Sequence, residues 1–117
     1  KAIEEAAGSL PVDMVSLDRE LRVTWANQSA VRVIGRPLAE IVGQCWLDLF
    51  PALAPRRPLY ERVLGGESLD FDHVDLVSPS GRPLSVATSL RPLVGRDGSI
   101  GGIMIMGRDV GALYQAR

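Results

Sequence analysis

The sequence predicts an α+β domain built on one five-stranded antiparallel sheet, with short helices on one face and a short helix at the N-terminus. Turn-bounded extended segments come first as a pair and later as a trio, with short helical patterns between them. A chain of 117 residues has room for a single core. Its 46% hydrophobic and 23% charged residues are the balance of a folded domain, not of a disordered chain.

Residues 1–7, KAIEEAA, are strong helix formers stopped by Gly8 and Ser9, with Ile3 as the main apolar anchor. The segment 14–18, a turn at Asp18, Arg19 and Glu20, and the segment 21–26 read as a hairpin. In its second arm the alternation of Leu21, Val23 and Trp25 places these three on one face. Asn27 is suited to cap a helix carrying Ala30, Val31 and Ile34 on one side, and Gly35 supplies its stop. A second short helix is predicted over 37–42, with Leu38, Ile41 and Val42 on its apolar face. Pro51, Pro55 and Pro58 limit the following stretch to a turn or two before a third helix over 59–64, ended by Gly65 and Gly66.

The remainder reads as a three-stranded meander over 68–77, 83–94 and 100–110, punctuated by the turns SPSGR and GRDGS. In its middle strand Leu84, Val86, Thr88 and Leu90 point one way and Ser85, Ala87, Ser89 and Arg91 the other. The last strand, with Ile103, Met104, Ile105 and Met106, is apolar on both faces. An outward Met pair predicts a partner for that side.

Composition narrows the function classes. Thirteen basic and fourteen acidic residues are mixed along the chain, without the basic block that a nucleic-acid backbone requires. One cysteine, Cys45, excludes an internal disulfide and a multi-thiolate metal cluster, which suits a reducing compartment. No apolar run approaches the ~20 residues of a membrane span, so this segment is expected to make no membrane contact. The start at Lys1 without a methionine and the stop at Arg117 are read as the ends of a segment of a longer chain.

From about Leu10 to Val110 the sequence resembles a PAS domain, the sensor module of bacterial signalling proteins such as histidine kinases. The resemblance rests on the aspartate turn and WAN, then VIGRPLAEIVGQ, YERVLGGES, SPSGRPL, RPLVGRDGSIGG and the closing GRDV, in that order. It implies residues 1–9 as a lead-in helix, 10–110 as the domain and 111–117 as the start of an outgoing signalling helix. It also implies a homodimer, an output domain in the same chain and no catalysis by the module itself. Ile3, Met104 and Met106 are the residues expected in dimer or lead-in-helix packing. Asp109 matches the aspartate of the family's Asp-x-Thr relay pattern, with Gly111 in place of the threonine.

The resemblance also allows cofactors to be tested residue by residue. Light-sensing members carry an NCRFLQ-like motif, whereas this chain has GQCWLDLF around Cys45. Leu76, Val86 and Gly107 align where that class places amides against the flavin, and an apolar wall leaves the flavin's polar edge unsatisfied at about 1–3 kcal/mol per group. Haem-binding members place a histidine on the helix read here at 59–64, which has none, and His73 falls on the outward side of a strand. These features argue against flavin and haem, and one histidine among aspartates argues against a metal site. Cys45 reads as a small core residue, with no neighbouring cation to stabilise a thiolate. No nucleophile, base and orienting group can be assembled into an enzyme site.

What remains is a candidate cavity lined by Trp25, Ile34, Trp46, Phe50, Leu64, Leu76, Val86, Thr88, Ile103 and Ile105. Its aromatics could stack on a small-molecule ligand or simply fill the core. The expected function is a cytoplasmic sensory and dimerisation module that binds a small ligand and relays to an output domain. The alternative is a ligand-free interaction and dimerisation module.

Overall fold

The strand that ends the domain in sequence lies at the centre of its sheet. A computed structural model describes residues 12–111. It contains β1 (Asp13–Asp18), β2 (Val23–Ala26), α1 (Gln28–Ile34), α2 (Leu38–Ile41), α3 (Trp46–Leu49) and a 3-10 helix (Pro51–Arg56). These are followed by α4 (Arg57–Leu64), β3 (Leu69–Val77), β4 (Pro83–Val94) and β5 (Ile100–Asp109). The five strands are ordered β2-β1-β5-β4-β3, and every neighbouring pair is antiparallel. The expected lead-in helix over 1–9, Ile3 with it, and positions 112–117 of the outgoing segment lie outside the described residues.

Local chemistry fixes the path. Asp18 Oδ1 accepts the backbone N–H groups of Glu20 and Arg22, closing the β1–β2 turn. Leu21 enters that turn at φ 64°, a backbone region costly for a leucine, and its side chain is fully buried in compensation. Asn27 Oδ1 accepts from Ala30 N, capping α1, and from Met14 N, while its Nδ2 donates to Val12 O. One side chain thus starts a helix and holds the first strand. At the other end of α1, Gly35 adopts φ 82°, and a Cβ there would press on the Ser80 hydroxyl of the β3–β4 turn.

Several expected faces differ in detail. The predicted 37–42 helix is the four-residue α2, which buries Ile41 alone and leaves Leu38 and Val42 exposed, because one turn presents one side chain inward. The predicted 59–64 helix begins earlier, at Arg57, where Pro58 occupies the first turn and its missing N–H costs nothing. Trp25 points away from the core and is 44% exposed, which corrects the face read from the alternation. The cause is an irregularity in the β1–β2 pairing. Leu17 faces Val23 but Ser16 faces Trp25, so Thr24 is an extra residue and the parity of the strand flips.

The two apolar faces of β5, the central strand, meet different surroundings. Ile103 and Ile105 face the helices, opposite Leu17 and Val15 of β1, and are buried. Met104 and Met106 face outward, opposite Ser16 and Met14, and are half-buried. The strands approach so closely that a Cβ on Gly102 would overlap the Leu17 carbonyl oxygen, whereas one on Gly101 meets open space. Gly102→Ala is therefore expected to lose about 2–4 kcal/mol of stability by prising β1 from β5. Gly101→Ala should be neutral or gain up to about 1 kcal/mol. Urea denaturation of the pair checks both; equal stabilities would contradict the close approach.

Candidate functional site

Between the sheet and the helices the interior is nearly full. A cavity of about 50 Å³ is lined by Asp13, Val15, Ala30, Val33, Ile34, Trp46, Phe50, Leu76, Leu84, Val86, Thr88, Ile105 and Gly107. A smaller space of about 20 Å³ shares Trp46, Leu76 and Thr88 with it, so these three side chains stand between the two. The Trp46 and Phe50 rings lie 4.7 Å apart, tilted at 51°. The Trp46 indole N–H donates to Tyr60 Oη at 3.2 Å. Burial, partly offset by that hydrogen bond, pushes the Tyr60 phenol up to about 12. Tyr60 is thus the polar anchor of the aromatic cluster, a role its helical spacing did not reveal; the need of a buried indole N–H for a partner was the available signal.

Of the sequence-derived candidates, Ile34, Trp46, Phe50, Leu76, Val86, Thr88 and Ile105 line the cavity. Ile103 is buried in the core beside it, and Leu64 is half-buried against that core. Trp25 is excluded by its outward direction. Cys45 precedes α3 and packs partly buried on the core. His73 lies at an irregularity in the β3–β4 pairing, on the exposed side, with Nε2 2.9 Å from Asp75 Oδ1. Among the described residues no group of three or more His, Cys, Asp or Glu is placed to hold a metal ion.

Beside the cavity the fold gathers charged side chains that no sequence spacing links. An open groove formed by Val12, Asp13, Ser29, Arg32, Val33, Arg82, Arg108 and Asp109 shares Asp13 and Val33 with the cavity. A second groove, along the β3–β4 turn, runs from Leu76 and Leu84 to Arg82, Asp109 and Gly111. Arg32 and Arg82 are brought to one place because α1 ends against the β3–β4 turn at Gly35 and Ser80. That turn is held by Ser78, whose backbone N–H donates to Arg82 O and whose hydroxyl accepts from Arg82 N. Asp13 sits opposite Gly107 in the sheet register.

Asp109 occupies the exit. Its Oδ1 accepts the Gly111 N–H at 2.8 Å, while the buried Val110 donates its N–H to Ser85 O. The last described residues are thereby tied to the mouth of the cavity.

Desolvation is the main influence on Asp13 and raises its carboxyl above 3.8. The Ser29 hydroxyl opposes this, the Asp109 charge adds to it, and Arg32 opposes it in turn. A carboxyl raised in the native state binds its proton more tightly there than in the unfolded chain. Its contribution to stability is thus present below 3.8 and is lost as pH rises through the native value. Asp13→Asn keeps an acceptor for Ser29 and removes the loss, so the variant should gain stability over the parent at pH 7 but not at pH 3.5. Denaturation curves at the two pH values check this; an equal difference at both would refute it.

Comparison with known proteins places this geometry. A comparison with curated proteins finds no match. Among solved structures, the PAS domain of a protein from Colwellia psychrerythraea has a TM-score of 0.73 at 13% identity, covering 93% of this chain and 97% of that one. The PAS domain of nitrogen regulation protein NR(II) from Vibrio parahaemolyticus has a TM-score of 0.64 at 21% identity, covering 84% and 88%. A light-oxygen-voltage domain studied with a flavin analogue has a TM-score of 0.72 at 15% identity, covering 99% and 90%. These likenesses establish the fold. The family model described as PAS fold matches residues 8–115, and with the five-stranded sheet and its helical cover this shows that the chain belongs to the PAS family of sensory modules.

Proposed function

We propose that the domain is a cytoplasmic ligand-sensing module that relays to an output domain of the same protein through Asp109. The observation that carries this reading is the meeting of three features at one point. An apolar cavity and an open groove share Asp13 and Val33, charged side chains stand among the apolar atoms of that groove, and Asp109 lines it while holding Gly111. A ligand favouring one arrangement of the mouth would bias the chain leaving it, which is all a two-state relay requires.

The size of the cavity bears on the ligand. At about 50 Å³ it is far below the roughly 300–1,000 Å³ of pockets that enclose drug-sized molecules, so the reading is of a small ligand. Leu76, Val86 and Gly107 line it without an amide side chain, which argues against a flavin despite the flavin-related neighbours. The test is a thermal-shift screen of small metabolites against the parent and Gly107→Val. A Cβ at 107 meets only ordinary contact with the Ala87 carbonyl, so the added side chain should fold while filling the cavity. A ligand at 100 times its Kd should stabilise the parent by about 2.7 kcal/mol and leave the variant unshifted. A ligand that stabilises both equally binds elsewhere, and a screen without any stabilising compound removes the sensing reading.

A second reading, a dimerisation surface, is favoured by the outer sheet face. Trp25 is 44% exposed there, in register with Ser16, which in turn faces the half-buried Met104 of β5. A self-complementary patch of this kind fits a homodimer. Sedimentation equilibrium should show a dimer that Trp25→Glu converts to monomer, since a carboxylate at the interface would be buried unpaired. A parent that stays monomeric at high concentration would exclude this face as a self-interface.

A further inference from the structure

The groove at the cavity mouth carries more positive charge than it neutralises. Arg32, Arg82 and Arg108 line it, against the carboxyls of Asp13 and Asp109, which leaves an excess of one positive charge even with both acids ionised. Arg32 acts electrostatically on Asp13. Arg82 and Arg108 have no ion-pair partner among the described residues, in contrast to Arg62 and Arg91, which pair with Glu67 and Asp70. The interior offers little polar anchorage. Thr88 supplies a hydroxyl to the cavity wall, and no buried side-chain N or O among the described residues lacks a hydrogen-bond partner. Orientation of a ligand therefore has to come from the mouth.

The two spaces differ in what they accept. A site of about 50 Å³, against the roughly 30 Å³ that a water-sized group takes up, accommodates the last one or two groups of a short tail. The groove outside it presents guanidinium groups, whose planar fork of donors matches a carboxylate. Asp13 and Val33 line both spaces and stand between them, so a molecule that occupies both has to pass between these two side chains.

Resting on the sensing function proposed above, we propose that the ligand is a small organic carboxylate, its short apolar tail in the cavity and its carboxylate among Arg32, Arg82 and Arg108. The bound anion stands beside Asp109. Its charge repels the carboxylate that holds the Gly111 N–H, which couples occupancy to the outgoing chain.

The probes are butyrate, its uncharged isostere butyramide, and inorganic phosphate, titrated at constant ionic strength into the ¹⁵N-labelled 117-residue chain and followed by NMR. Butyrate should shift the Trp46 indole and the Gly107 and Gly111 amide resonances saturably, with butyramide at least tenfold weaker. Arg82→Gln and Arg108→Gln, both at exposed positions, should each weaken butyrate at least fivefold while leaving the spectrum of the free protein otherwise unchanged. Gly107→Val should abolish the indole shift. Equal binding of butyramide, or undiminished binding by both arginine variants, overturns the carboxylate subsite while leaving ligand sensing intact. Phosphate shifting the same resonances as strongly, unaffected by Gly107→Val, overturns the tail-in-cavity arrangement. If butyrate fails to bind while an uncharged compound from the thermal-shift screen does, the carboxylate assignment falls alone. If neither binds, both readings fall.

Discussion

The structure depends on the insertion of β5 between β1 and β4. The strand made last in sequence pairs along its length with the first, Asp13 to Asp18 facing Gly107 to Gly102, and with β4 on its other side. Ile103 and Ile105 face the helical side and are buried, while Met104 and Met106 lie half-buried on the outer face. Close approach at Gly102 and Leu17 lets the β1–β5 ladder form, and that ladder fixes which side chains meet at the sheet's end. Asp13 reaches the cavity because it faces Gly107, whose lack of a side chain leaves the space open.

On the helical side, the crossing from β2 to β3 fills the interior rather than vaulting it. Trp46 and Phe50 pack at a tilt typical of aromatic pairs, and Tyr60 completes the indole's hydrogen bonding. A cluster satisfied in this way resists opening, because moving Trp46 outward would break both its packing and its polar contact. The interior thus leaves about 50 Å³ beside the cluster as it stands.

Much of this was legible in the sequence. The two-plus-three arrangement of strands, the Asn27 cap, the Gly35 stop and the proline-broken helices all follow from local chemistry, which the fold respects. Strand order was not legible, since five antiparallel strands can be arranged in several ways and only long-range pairing chooses among them. Trp25 was misassigned because alternation assumes an unbroken ladder, and one extra residue at Thr24 inverts it. The arginine mouth escaped notice for a related reason. Arg32 on a helix, Arg82 after a turn and Arg108 near a strand end each look like ordinary solvated residues, and no spacing in the sequence links them. Only the seating of α1 against the β3–β4 turn and the position of β5 bring them together.

The exit from the domain shows how a small sequence change bears on coupling. The chain leaves the sheet through Val110, buried and bonded to Ser85 O, so its position is set by β4 as well as by β5. Asp109 adds one further tie, to the Gly111 N–H. A threonine at 111 would bring a hydroxyl as another local bond and a β-branched side chain that restricts the backbone. Glycine brings neither, so the placement of Gly111 itself rests on the Val110 anchor and on the Asp109 carboxylate. In the relay proposed above, a change in the charge beside Asp109 would act on Gly111 against few other restraints. On that proposal, the groove lined by Arg32, Arg82 and Arg108, where Asp109 lies, is where a bound charge would reach Gly111.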